Sequence, residues 1–167
     1  MKELTFLKKL KRKGLIELVE SSEEMKSSYL IKAENCLKSA KILFQSQLYE
    51  NSTSEAYYCM YNSLLALLFK IGIKSENHSA SIILFDKLFN NKDLVKIISW
   101  AKEERIDKQY YVETQQIVKA TRESCNEMIE KSENFLVKMK LVISELNNET
   151  INSVRNTFEE MFISRSS

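Results

Sequence analysis

Apolar residues recur along this chain at intervals of three and four, the spacing that lines one face of a helix. The clearest run, Leu30, Ala33, Leu37, Ala40 and Phe44, predicts a long amphipathic helix over about 23–47. Ser21 and Ser22 ahead of Glu23 and Glu24 supply a cap and an acidic first turn, which suit the positive end of a helix dipole. Upstream, Leu4, Leu7, Leu15 and Leu18 share a face and predict a helix over 3–20, interrupted at Gly14. Asn51, Ser52 and Thr53 mark the next boundary. Residues 54–71 are then apolar around most of a helical circumference (Tyr57, Tyr58, Met60, Tyr61, Leu64, Leu65, Leu67 and Leu68), which predicts the central, most buried helix. Gly72 stands where a helix C-cap is wanted, and 73–77 reads as a loop.

A shorter helix is expected over 79–89, a turn at Asn90–Asn91, and a further helix over 93–105. The last large element, about 110–146, carries Ile117, Ala120, Met128, Phe135, Leu136, Met139 and Val142 and ends at Asn147–Asn148. A final helix over 150–162 places Ile151, Val154, Phe158, Met161 and Phe162 on one side. The expected fold is all-α: an antiparallel bundle of four main helices plus a short helix, with an extra helix at each terminus. It forms one domain over 1–167, with its core at about 22–146, a basic N-terminal helix and an appended C-terminal one.

Composition supports this architecture. Among 167 residues there is no proline and there are two glycines, Gly14 and Gly72. A β-rich chain needs many tight turns, and turns are where those residues concentrate. Apolar residues at 44% and charged residues at 29% suit a folded core rather than a disordered chain. The longest apolar run, 64–69, is far short of the roughly 18–20 residues that span a bilayer. With no export signal visible, Cys36, Cys59 and Cys125 are expected as reduced thiols in a cytoplasmic protein that has no membrane contact. Net charge is only +2, but residues 1–13 hold six cations (Lys2, Lys8, Lys9, Lys11, Arg12, Lys13) against Glu3. That arm suits RNA phosphates or an acidic partner, and equally a solvated helix face.

Inventory removes most familiar chemistry. One histidine and scattered cysteines leave no CxxC, HExxH or Glu-x-x-His arrangement, so neither a metal nor a cofactor is expected. Two isolated glycines cannot build a phosphate-cradling loop or a nucleophile elbow. Any activity falls to Arg, Lys, Tyr, carboxylates and His78.

Two segments stand out. AYYCMYNSLLALLFKIGIKSENHSASIILF, residues 56–85, resembles the signature of the HEPN family, an aromatic-rich helix followed by a short loop, a histidine and a helix ending in Leu/Ile-Phe. Residues 104–111, ERIDKQYY, resemble that family's Arg-x4-Tyr segment ahead of its long helix, and Phe135-Leu136 matches a Phe-Leu near the end of its last core helix. Order and spacing agree over about 28–143.

The resemblance implies a bundle that dimerises through the faces bearing the Arg segment. It also implies a minimal nucleotidyltransferase as partner in a two-component toxin–antitoxin or defence pair. Catalytic members of the family are metal-independent RNases built on Arg-x4–6-His, in which the histidine activates the ribose 2′-hydroxyl and the arginine holds phosphate charge. A guanidinium suits that second role because it stays charged and presents a fork of donors. Here Arg105 matches the family arginine, but Tyr110 stands at the histidine position. A phenol with pKa near 10 is only about 0.1% ionised at neutral pH, which makes it a poor general base. It suits a phosphate hydrogen bond or a stacked base instead. In members whose tyrosine after the histidine is nucleotidylated by the partner, the matching offset falls on Val112 here, so that site is not reproduced.

Arg105 and Tyr110 are therefore the candidate catalytic pair, and His78, Lys74, Lys108 and Tyr111 the candidate RNA or nucleotide contacts. Each also has a structural reading. His78 can cap or pack a helix start, Arg105 can pair with Glu103, Glu104 or Asp107, and Tyr57, Tyr58 and Tyr61 can be core and groove wall. Three functions remain open: a HEPN partner protein that binds a nucleotidyltransferase with RNA or nucleotide, an RNase toxin using Arg105, and a helical adaptor.

Overall fold

The structure is a computed structural model that describes residues 2–110 and 120–163, with side chains omitted for 106–110. Its order is α1 (Lys2–Arg12), β1 (Ile16–Leu18), α2 (Glu23–Gln45), α3 (Tyr49–Lys70), β2 (Ile73–Ser75), α4 (His78–Phe89), α5 (Lys92–Tyr110), α6 (Arg122–Ser144) and α7 (Asn148–Phe162). The all-α expectation holds, with one two-stranded addition.

Helix α3 is the axis. Tyr57, Met60, Leu64, Leu67 and Leu68 are fully buried, and so are its small polar positions Ser52 and Ser63. Those hydroxyls find acceptors: Ser52 donates to the Ala40 carbonyl at 2.7 Å and Ser63 to that of Met60 at 2.7 Å. Ser132 of α6 does the same to Ala56 at 2.8 Å. Short side chains bonded to backbone let helices approach closely without stranding a buried polar group. Contacts fix the directions. Ala40 meets Ser52 and Glu23 meets Lys70, so α2 and α3 form an antiparallel hairpin. Ser52 meets Cys125 and Ala56 meets Ser132, so α3 and α6 run parallel across the bundle, flanked by α2 and α5.

The caps follow the sequence closely. Ser22 accepts from the Met25 amide at 3.1 Å, Asn77 from Ala80 at 3.0 Å, and Thr121 closes a capping box with Ser124. Asn51, Ser52 and Thr53 do not mark a boundary; they lie in the first turns of α3, which starts at Tyr49.

The N-terminal expectation needs correcting. The helix expected over 3–20 is α1 followed by a strand. Gly14 adopts φ +71, the chain reverses, and Ile16–Leu18 pairs antiparallel with Ile73–Ser75, in the segment expected as a loop. The β-branched Ile16 and Ile73 are both fully buried beneath this ribbon. The single helix expected over 110–146 is not one element: Tyr110 ends α5, Ala120 is not helical, Thr121 is the N-cap of α6 (Arg122–Ser144), and 111–119 lie outside the described residues. All three cysteines are free thiols, and burial raises Cys36 to about 11 and Cys59 to about 12. Among the described residues no helix is long and apolar enough to cross a membrane.

Helix α7 locks the ribbon to the body. Arg155 donates from Nη1 to the carbonyls of Val19 (2.8 Å), Ile71 (3.0 Å) and Gly72 (3.2 Å). Gly72 has φ +75, and a Cβ there would sit 1.9 Å from that Nη1 and 2.5 Å from the Val19 oxygen. Gly72→Ala is expected to lose more than about 2 kcal/mol in urea denaturation followed by circular dichroism, since it meets both a strained φ and a backbone clash. Gly14→Ala meets only the Glu17 side chain at 3.3 Å and should lose about 1 kcal/mol. Equal losses at the two positions would remove the close-packed joint from the explanation.

Candidate functional site

The loop after β2 is short, so the cap residue Asn77 delivers His78 as the first residue of α4, facing α3. There α3 presents Tyr57, Tyr58 and Tyr61, whose i, i+1, i+4 spacing puts Tyr57 and Tyr61 one turn apart. The imidazole stacks on Tyr61 with ring centroids 3.7 Å apart and planes 12° apart. Its Nδ1 lies 2.5 Å from the Tyr57 hydroxyl, and Tyr58 meets it edge-on at 6.2 Å. Tyr61 reaches Ser81, which bonds Ser75 at 2.9 Å and the Asn77 carbonyl at 3.0 Å. The histidine is thus held on several sides while remaining half-buried.

Arg105 arrives from α5. Its guanidinium carbon lies 5.1 Å from the Tyr57 ring centroid and 5.4 Å from that of Tyr58, and its Nη1 donates to the Tyr58 hydroxyl at 3.3 Å. Flat cations stack on electron-rich rings, and this arrangement fixes the fork of donors. Lys102, one turn earlier on the same helix, donates to Ser79 at 2.7 Å.

Electrostatics follow from these neighbours. Burial, with the positive charges of Arg105 and Lys102, lowers His78 from its ordinary 6.5 to about 4. The imidazole is therefore neutral at physiological pH. Burial also pushes Tyr57 and Tyr61 upward, so both phenols stay protonated. The neutral ring carries a single N–H, and the Tyr57 contact at Nδ1 fits either tautomer; with the proton on Nδ1 donated to the Tyr57 oxygen, Nε2 keeps an open lone pair.

Of the residues singled out in the sequence, Arg105 and His78 come together. Lys74 is elsewhere in charge terms: its ammonium on β2 pairs with Glu76 at 2.6 Å and Glu17 at 3.8 Å. The side chains of Lys108 and Tyr110, and the whole of Tyr111, lie outside the described residues. The structure adds three groups to the cluster. Tyr57 and Tyr61 hold the histidine as partners beyond core packing, and Lys102 charges it. The one sequence signal for Lys102 is its three-residue spacing from Arg105, which places both on one helix face. Among the described residues no cluster of His, Cys, Asp and Glu could hold a metal ion.

The lowered His78 value has a stability consequence with a definite sign. The folded state binds the proton more weakly than the unfolded state. This contribution is therefore present above about pH 6.5 and is lost as pH falls from there through about 4. Thermal melts of wild type and His78→Asn across that window should converge toward acid pH, because the variant lacks the titration. A constant gap between the two would overturn the assignment.

Residues 26–142 match the family described as HEPN domain. Two relatives agree in extent. A Methanocaldococcus jannaschii protein named "Putative toxin MJ0605" is 29% identical over 129 residues, covering 74% of this chain and 92% of that one. A Thermotoga maritima protein named "UPF0332 protein" is 27% identical over 120 residues, covering 69% and 88% respectively. The matched region spans the four main helices and the Arg105–His78 cluster, and this chain belongs to the HEPN domain family.

Proposed function

We propose that this chain is the HEPN component of a toxin–antitoxin system and that it engages RNA, or a nucleotide, through phosphate at Arg105. The observation that carries this reading is the guanidinium fixed over Tyr57 and Tyr58 beside a neutral histidine and Lys102. Two cations and the N-terminal end of α4 converge there, so the local potential favours an anion. The cost already visible in the low His78 value is repaid when phosphate arrives, because a bound anion raises the imidazole again. The toxin relative supports the system-level part of the reading. A minimal nucleotidyltransferase is the proposed protein partner, and the active form a homodimer.

One observation favours a second reading, metal-independent RNA cleavage. A neutral imidazole can accept the 2′-hydroxyl proton, and a forked cation can stabilise the phosphorane charge. His78 takes the role that the Tyr110 position leaves open. Its low basicity in the free protein rises once phosphate is bound.

The test combines binding and cleavage in EDTA. Wild type should bind a short single-stranded RNA more tightly as pH falls toward 5, and Arg105→Ala should weaken binding at least ten-fold. Binding that is indifferent to Arg105 and to pH would sink the phosphate assignment. Strand scission by wild type, absent in both Arg105→Ala and His78→Asn, would make the chain an RNase. Scission that survives either substitution would remove that residue from the chemistry.

A further inference from the structure

Beside the cluster, α4 and α5 enclose a cleft of about 170 Å³ lined by Ser79, Ile82, Ile83, Ser99, Lys102 and Glu103. This is smaller than the roughly 300–1,000 Å³ of a whole-ligand site and suits a single planar group. Ser99, Lys102 and Arg105 follow one another at three-residue steps, so the cleft residues Ser99 and Lys102 precede Arg105 by about 9 Å and about 4.5 Å along the helix axis. A phosphate on Arg105 and a base in the cleft therefore fit within one or two nucleotides of a single strand.

Glu103 is the unexpected group. It is exposed and has neither an ion pair nor a hydrogen bond among the described residues. A free carboxylate next to a phosphate site weakens RNA binding in general. It strengthens binding only to a base that offers it hydrogen-bond donors. Unstacked bases present their Watson–Crick edges, and only guanine places two donors side by side there, at N1 and the 2-amino group. Adenine, cytosine and uracil each set an acceptor against the carboxylate, which adds a repulsion to the lost bond. The rest of the cleft complements the same base. The Lys102 ammonium and the Ser99 hydroxyl can donate to O6 and N7, while Ile82 and Ile83 provide apolar wall for a ring face.

We propose that this cleft takes a guanine of the bound RNA and that Glu103 reads its donor edge. The proposal rests on the phosphate reading above and gives that site a sequence preference.

The experiment measures fluorescence-anisotropy affinities for short oligouridylates carrying one central guanosine, adenosine, cytidine or inosine, with the full-length protein. Wild type should bind the guanosine strand on the order of ten-fold or more tighter than the adenosine and cytidine strands, with inosine, which lacks the 2-amino group, between them. Glu103→Gln should erase that preference and leave all-uridine RNA bound at least as well as by wild type. Being exposed, the position tolerates the change in folding. Equal wild-type affinity for every strand, still lost in Arg105→Ala, would overturn the base pocket and leave phosphate binding standing. No RNA binding by folded wild type would overturn both. A guanosine preference that persists in Glu103→Gln would remove Glu103 as its source.

Discussion

The joint at Gly72 is the constraint on which the rest of the arrangement depends. Helix α3 must stop there, the chain must turn through a left-handed residue, and β2 must leave at an angle that delivers His78 to the tyrosines. Three backbone carbonyls converge at this corner around the Arg155 Nη1 of the last helix, and the Gly72 carbonyl also accepts from the Val19 amide. Buried carbonyls without donors are expensive, and one guanidinium that supplies several donors is an economical remedy. The two terminal segments are therefore not ornaments on a four-helix core. Strand β1 pairs with β2, and α7 clamps the turn, so both ends of the chain set the position of one histidine.

That position makes the site consistent with itself. An imidazole stacked at 3.7 Å on Tyr61 and bonded to a protonated phenol has little freedom to rotate. Burial first, and then two cations nearby, disfavour a charged ring here, and the low His78 value follows from both. The protein keeps the ring neutral. Arg105 in turn leans on the same tyrosines, so the aromatic cluster orients base-type and cation-type groups at once. Rigid side chains on helices hold geometry better than loop residues do, which suits the proposed encounter with a flexible single strand.

Much of this was legible in the chain. The 3–4 spacing of Leu30 to Phe44 and the all-round apolarity of 57–68 marked α2 and α3 within a few residues, because long periodic segments carry strong signals. At Gly14 the sequence pattern shows only an interruption in one helix. The switch to a strand was not visible, since Ile16–Leu18 is three residues long and its partner lies 55 residues away. No local pattern records a long-range pairing of that kind. Arg105 and His78 were found by their resemblance to a family motif. Their mutual proximity depends on the α3–α5 crossing and the Gly72 turn, which are tertiary facts. Lys74 shows the reverse: charge near a loop pointed to a ligand, but its cross-strand neighbour Glu17 and nearby Glu76 already meet it.

The substitution of tyrosine at position 110 changes what the family motif can do, and the structure offers a reason it need not end function. Chemistry at a phosphodiester needs a fixed cation, a proton acceptor in the right ionisation state, and a strand held in register. Arg105 supplies the first. On the proposed cleavage reading, His78 is the neutral acceptor, from a different helix, and its basicity rises when an anion enters. Register is the remaining need, and a phosphate contact alone cannot provide it, because every nucleotide carries the same phosphate. A contact that distinguishes bases, such as an unpaired carboxylate beside the cations, costs general affinity and returns position along the strand. On the proposed reading, the acidic residue next to the cationic site belongs with it as the group that sets where on an RNA the cluster comes to rest.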